Sequence, residues 1–258
     1  MTSLKTILKK QTAFIPYIVA DDPNFETTVQ SVLTLANNGA DLIEIGIPFS
    51  DPVADGPAVQ AADLRAFQAG VNTEVVFDIV AKVREQSNIP VILATYLNIA
   101  FKYGYDKFCQ RCQGLNIIGL NILDAPVEEY REIEPAAQKY EVALMPTIAP
   151  ASEQRIPTIV EHADGAVNLV VAPGTIDLTE TLLAQIKHFT QKVQQISDVA
   201  VVISFDANTK QAEQLSEVVD GIIIGNPVTE LVAENRENLQ QQLADLASGI
   251  KDALQIKA

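Results

Sequence analysis

The sequence predicts a (β/α)8 barrel built as a single domain over residues 1–258, and three observations carry that prediction. Eight short apolar runs alternate with longer amphipathic stretches. The runs are rich in Val, Ile and Leu, and several lack a polar alternation. Strands buried on both faces, as in a parallel sheet, read this way. The whole pattern also fits the size of one barrel, since eight strand–helix units need roughly 250 residues. A doubly wound open sheet is the alternative. It usually has fewer strands and often a Gly-rich turn after the first one, and neither is found here.

The first strand is Ala13–Val19, an unbroken apolar run, and a helix follows over Asn24–Asn38, where Phe25, Val29, Val32, Leu33 and Ala36 recur at helical spacing. Strand Asp41–Gly46 leads to a helix over Thr73–Ser87, and strand Pro90–Tyr96 to one over Tyr105–Gln113. Strand Asn116–Leu123 precedes helix Val127–Tyr140, and strand Glu141–Thr147 precedes helix Ser152–His162. Strand Gly165–Val171 is followed by helix Leu178–Ile196, and strand Val199–Ser204 by helix Asn208–Val218. The last strand, Asp220–Ile224, leads into helices Pro227–Glu234 and Glu237–Ile256. In the second of these, Leu239, Leu243, Leu246 and Ile250 form the apolar stripe.

Composition bounds the partners. Hydrophobic residues make up 48% and charged residues 20%, so a sizeable core can be buried. The net charge of −15 argues against nucleic acid or an anionic membrane as a broad partner, although a local nest of backbone N–H groups can still hold a small anion. Two cysteines in 258 residues rule out a disulfide scaffold and point to a reducing compartment. The start, Met1 to Gln11, is polar and basic, and no run approaches the roughly 20 apolar residues that cross a bilayer. A cytoplasmic protein without a membrane partner is expected.

In a barrel, chemistry gathers at the carboxyl ends of the strands. No Lys or His falls inside the eight candidate strands, which argues against a Schiff-base lysine and a His-rich zinc site. His162 and His188 lie on predicted helices, where solvated or capping roles are expected. Cys109 and Cys112 have C-x-x-C spacing, but within a predicted helix and without a second pair, so they read as helix-face cysteines and no metal is expected. Glu44 is different. In Leu42-Ile43-Glu44-Ile45-Gly46 the isoleucines share one strand face and Glu44 the other. With the isoleucines against the helices, Glu44 points into the barrel mouth, where desolvation raises its pKa and suits it to general acid/base work. A structural pairing with a buried Arg or Lys is the alternative, and no candidate strand supplies that partner. The next loop is stiffened by Pro48, Pro52 and Pro57 and carries Asp51 and Asp55, either as functional carboxylates or as helix caps and Asx-turns.

The stretch Glu44-Ile45-Gly46-Ile47-Pro48-Phe49-Ser50-Asp51-Pro52-Val53-Ala54-Asp55-Gly56-Pro57 closely resembles the signature of the tryptophan synthase alpha subunits. Phe14-Ile15-Pro16-Tyr17-Ile18 with Asp22-Pro23, Leu64-Arg65-Ala66-Phe67, Thr95-Tyr96 with Asn98, and Asp124-Ala125-Pro126-Val127-Glu128-Glu129 continue the match over nearly the whole chain. The resemblance implies a (β/α)8 fold and retro-aldol cleavage of indole-3-glycerol phosphate to indole and glyceraldehyde 3-phosphate. It also implies no cofactor on this chain and a tryptophan synthase beta-type subunit, carrying pyridoxal phosphate, as partner. Glu44 would be the general acid/base, Asp55 the carboxylate handling the indole N–H, and Tyr17 and Tyr96 would line the indole pocket. The Pro48–Pro57 loop would form part of the docking surface for the beta subunit.

The second half departs from the family pattern. Where the family has Ser-Gly-Val-Thr-Gly, this chain has Pro173-Gly174-Thr175-Ile176-Asp177, in a loop that looks shortened. Gly-Phe-Gly becomes Ser204-Phe205-Asp206, Gly-Ser becomes Gly225-Asn226 before Pro227, and a family tyrosine becomes Asn168. Gly174, Phe205, Gly225 and Asn226 remain the implied substrate-binding positions. Asp177 and Asp206 bring carboxylates toward the phosphate nest, and two unit charges about 5 Å apart at an effective dielectric near 20 repel by roughly 3 kcal/mol. An ordinary helix cap at Asn226-Pro227 is the gentler reading. Three functions follow: an active lyase with an unusual phosphate site, a catalytically impaired alpha-like partner of a beta subunit, or a barrel enzyme for a non-phosphorylated ligand whose acidic rim holds a cation. The first is the expectation.

Overall fold

The structure is a computed structural model that describes residues 3–171, 177–234 and 236–255. A short helix, α1 (Leu4–Leu8), precedes β1 (Ala13–Val19), α2 (Phe25–Asn37) and β2 (Ile43–Gly46). Then come α3 (Pro57–Ala69), α4 (Thr73–Arg84), β3 (Val91–Thr95), α5 (Leu97–Tyr103), α6 (Tyr105–Gly114) and β4 (Ile117–Ile122). The middle of the chain carries α7 (Glu134–Lys139), β5 (Ala143–Leu144), β6 (Thr147–Ile148), α8 (Ile156–Glu161) and β7 (Ala166–Leu169). It closes with α9 (Glu180–Ile196), β8 (Ala200–Ser204), α10 (Thr209–Ser216), β9 (Gly221–Ile224), α11 (Asn226–Glu234) and α12 (Leu239–Gln255).

The strands pair in parallel in the order β5-β4-β3-β2-β1-β9-β8-β7-β6. β5 and β6 are two halves of the predicted strand Glu141–Thr147. The first half pairs with β4 and the second with β7. Between them Met145 N–H donates to the Leu120 carbonyl, and Asn168 N–H to the Pro146 carbonyl, both at 2.9 Å. Residues 143–148 therefore join the two ends of the sheet and complete the barrel. Pro146, which has no N–H to give, sits where the pairing changes partner.

Strand alternation divides the core into two shells. Ile15, Tyr17, Val19, Ile92, Ala94, Val202 and Ile223 fill the barrel interior. Phe14, Ile18, Ile43, Ile45, Val91, Leu93, Val201, Ile203 and Ile222 pack against the helices. The expected placing of Ile43 and Ile45 is thus observed, and it decides where Glu44 points.

Three helices escape the sequence reading: α1, α3 and α5. Helix α3 starts in the proline-rich stretch, with Gly56 as N-cap, Pro57 in its first turn, and Gly70 ending it in the left-handed region at φ 96°. Helix α5 draws its N-terminal stabilisation from afar, since Leu97 N–H donates to Asp124 Oδ1 at 2.8 Å. Two predicted helices are broken. Val127–Tyr140 divides into a 3-10 turn, Val127–Glu132, and α7; Ser152–His162 into a 3-10 turn, Pro150–Arg155, and α8. Pro135 and Pro157 sit in the first turns of α7 and α8, where each removes a backbone donor and restarts the helix.

His162 and His188 lie on the helical layer, facing Glu134 at 3.3 Å and Glu153 at 2.9 Å. Cys109 and Cys112 are free thiols buried under α6. Burial pushes the Cys109 thiol up to about 12, which leaves it unreactive. Among the described residues no helix is long and apolar enough to cross a membrane.

Candidate active site

Glu44 lies in β2, opposite Tyr17 of β1 and Ile92 of β3 in the parallel register. It is 2% exposed. Its partner is an amide, with Asn121 Nδ2 on β4 donating to Glu44 Oε1 at 2.9 Å. Burial pushes the carboxyl up to about 7; the Asn121 hydrogen bond opposes this, and the charge of Asp55 adds to it. A carboxylic acid placed there exchanges its proton near neutral pH, the condition for acting as acid and then base.

Asp55 stands on the loop between β2 and α3, tied to the next strand by Tyr96. The Tyr96 hydroxyl donates to Asp55 Oδ2 at 2.6 Å and accepts from Ala54 N–H at 3.1 Å. The Tyr96 ring stacks on Phe49 with centroids 4.6 Å apart. Asp55 is therefore no helix cap: α3 has Gly56 at that position, with no side-chain bond. Burial raises the Asp55 pKa, and the tyrosine hydrogen bond works against the rise.

Tyr17 reaches across the mouth. Its hydroxyl sits so close to Gly46 that a Cβ there would lie 2.2 Å away, while on the other side its ring faces Gly225. Burial raises the Tyr17 pKa, reinforced by the charges of Asp55, Asp63 and Glu44. Glu44, Asp55, Tyr17 and Tyr96 thus form one group.

The remaining predicted positions divide. Gly225 and Asn226 form the start of α11, and their N–H groups both donate to Asp206 Oδ1, at 3.0 and 2.8 Å. Phe205 is buried with the helix-facing shell, so its side chain is not among those around Glu44. Gly174 lies outside the described residues. Asp177 is exposed ahead of α9, whereas Asp206 sits directly on the nest. Asn168 is 2% exposed and accepts from the Ser204 hydroxyl at 2.9 Å.

The acidic rim does not converge on a cation site. Asp22 receives a bidentate pair from Arg65 Nε and Nη2, both at 2.7 Å. Asp124 caps α5, Asp206 caps α11, and Asp51 is exposed. Among the described residues no group of three or more His, Cys, Asp or Glu side chains is arranged to hold a metal.

Two site residues were not singled out from sequence. Asn121 carried the same signal as Glu44, a polar residue inside an apolar strand. Asp63 carried none, because α3 itself was not foreseen. It is 4% exposed, and its carboxyl is pushed up to about 7 by burial and by the charge of Asp55, against a hydrogen bond from Phe49 N–H.

A family model described as tryptophan synthase alpha chain matches residues 4–255. The chain is 44% identical to the tryptophan synthase alpha chain of Lacticaseibacillus casei, over 100% of this chain and 97% of that one. It resembles the crystal structure of tryptophan synthase subunit alpha from Legionella pneumophila, with a TM-score of 0.87 and 29% identity over 98% of both chains. It also resembles a chain of the tryptophan synthase a2b2 complex from Pyrococcus furiosus, with a TM-score of 0.85 and 25% identity over 93% of this chain and 98% of that one.

Proposed function

The chain belongs to the tryptophan synthase alpha chain family, the lyases that cleave indole-3-glycerol phosphate in tryptophan biosynthesis, and we propose that Glu44 and Asp55 carry that cleavage here. The observation that carries the assignment is Glu44 itself. It is buried in the barrel interior, bonded to an amide rather than a cation, with a pKa of about 7.

The chemistry balances on this pair. Protonated Glu44 gives its proton to the ring carbon that bears the glycerol chain. Asp55 accepts a hydrogen bond from the ring N–H and stabilises the positive charge that spreads to nitrogen. The Glu44 carboxylate then takes the proton of the adjacent glycerol hydroxyl. The oxygen pair becomes the aldehyde C=O, and the electrons of the broken carbon–carbon bond return to the ring. Indole and glyceraldehyde 3-phosphate form, Glu44 ends protonated as it began, and no water is consumed. Tyr17 and Tyr96 flank the ring, and Tyr96 holds Asp55 in place through the 2.6 Å hydrogen bond. Gly225 and Asn226, with Gly174, are the positions assigned to the phosphate.

The partner is a tryptophan synthase beta chain. Four of the five large exposed apolar side chains among the described residues, Val53, Leu64, Phe67 and Phe101, lie on two successive βα connections at the rim. Beside them a cavity of about 610 Å³ is lined by Phe49, Phe67, Ile99 and Tyr103 among others. We assign this rim as the docking face, because most of the large exposed apolar side chains among the described residues gather there. Two free buried thiols fit a cytoplasmic setting.

Glu44→Gln tests the central assignment. It keeps shape and hydrogen bonding but cannot cycle a proton. Release of indole from indole-3-glycerol phosphate should fall by about a hundredfold or more in a folded protein. Turnover within a few-fold of the parent refutes the role.

A further inference from the structure

The mouth of this barrel contains an anion that belongs to the protein. Backbone N–H groups at a helix start, beyond the last strands of a (β/α)8 barrel, are where such folds commonly bind phosphate. Here the donors are Gly225 and Asn226, and Pro227, next in α11, offers none. Both donors are given to one oxygen, Asp206 Oδ1, at 3.0 and 2.8 Å. The cradle opens on the same mouth as Glu44: a Cβ at Gly225 would lie 3.5 Å from the Tyr17 ring, and Tyr17 is the register partner of Glu44.

We propose that Asp206 is a specificity-determining residue, an intramolecular carboxylate that fills the phosphate cradle and discriminates against ligands bearing an anionic group there. This rests on the assignment of the mouth to indole-3-glycerol phosphate. A phosphorylated ligand must first move the carboxylate off two charge-assisted hydrogen bonds. It binds only the fraction of molecules in which Asp206 has swung out, and its apparent affinity falls by that fraction. A ligand with a plain hydroxyl in place of the phosphate has no need of the cradle and escapes the penalty. The chain therefore prefers phosphorylated over phosphate-free substrate less strongly than an open cradle would.

Asp206→Gly and Asp206→Asn separate occupancy from charge, since Asn keeps an acceptor for the two N–H groups. Calorimetric titration of the full chain with glycerol 3-phosphate reads the cradle without any chemistry. With the carboxylate out about one-tenth of the time, Asp206→Gly binds roughly tenfold more tightly. Asp206→Asn falls between it and the parent. Steady-state indole release should show a matching fall in KM for indole-3-glycerol phosphate, with KM for the phosphate-free analogue unchanged. Glycerol 3-phosphate affinities within twofold of the parent in both variants overturn the proposal. If Asp206→Gly does not fold, Asp206→Asn decides alone: a gain of about threefold supports the proposal and an unchanged affinity overturns it. A gain in glycerol 3-phosphate affinity without indole release from any variant leaves Asp206 in its role and removes the lyase assignment at Glu44.

Discussion

Replacing Glu44 by Gln should stabilise the protein as it abolishes turnover, and the gain should appear only as pH rises. The carboxyl stands at about 7 in the fold against 4.5 as a free group, because burial penalises its charged form. Between those values the folded chain holds a proton that the unfolded chain releases. Stability is therefore fully present below pH 4.5 and is lost as pH climbs through 7. At about 1.4 kcal/mol for each pH unit between 4.5 and 7, the protonated form is favoured by about 3 kcal/mol, most of it lost between pH 5 and pH 8. Glutamine is neutral throughout and loses none of it. Urea unfolding of parent and Glu44→Gln at pH 5 and pH 8 measures the difference directly, provided m is unchanged. The variant's advantage should widen by about 2–3 kcal/mol from the lower pH to the higher, a large fraction of the 5–15 kcal/mol typical of a domain. An advantage constant with pH, or one that shrinks, refutes the claim that Glu44 is held protonated by burial and removes the physical basis for its acid/base role.

Two further outcomes test the surroundings. Gly46→Ala places a methyl carbon 2.2 Å from the Tyr17 hydroxyl, so the ring must leave its place; a loss of about 1–3 kcal/mol in thermal or urea unfolding and a raised KM for indole-3-glycerol phosphate are expected, and parent-like values for both contradict the packing. Phe101→Asp puts a charge on an exposed ring at the rim; affinity for the beta chain from the same source should drop at least about tenfold by analytical ultracentrifugation, with unassisted indole release retained, and unchanged affinity moves the docking face elsewhere.

The barrel and the inward placing of Glu44 were legible because both are written in local pattern. A carboxylate in the middle of an Ile-Glu-Ile run is costly, and strand alternation alone sends it inward. What was not legible depends on contacts between distant segments. Asp124 supplies the cap of α5 from the next βα connection, so the start at Leu97 carries no signal of its own. Arg65 and Asp22 stand 43 residues apart with no local signal that joins them, and the fold pairs them, leaving Asp22 only 1% exposed. Pro135 and Pro157 lie inside the two predicted helices, and in the structure each stands in the first turn of a helix that restarts after a 3-10 turn. Glycine-to-aspartate at 206 was visible as a departure from the family. Its direction was not, since a side chain at a strand end can face the nest or the solvent.

These choices together shift the source of substrate affinity. The chain carries a net charge of −15, and the N–H pair best suited to an anion is held by the Asp206 carboxylate. A dianionic substrate thus meets an opposing field with its local compensation already in use. The other surface of the mouth is aromatic: Tyr17 lies between Gly46 and Gly225, and Tyr96 stacks on Phe49, which under the proposed roles would receive the flat, apolar indole. An aromatic group of 150–250 Å² taken from water contributes roughly 4–6 kcal/mol, more than the roughly tenfold penalty assigned to Asp206 at the cradle. Under the proposed roles, binding anchored at the ring would hold the reacting carbon against Glu44 and leave the phosphate end as the adjustable one. Substitution at the cradle should then change affinity while the proton transfer proposed for Glu44, whose hydrogen-bond partner is Asn121 and not a cradle residue, keeps its rate.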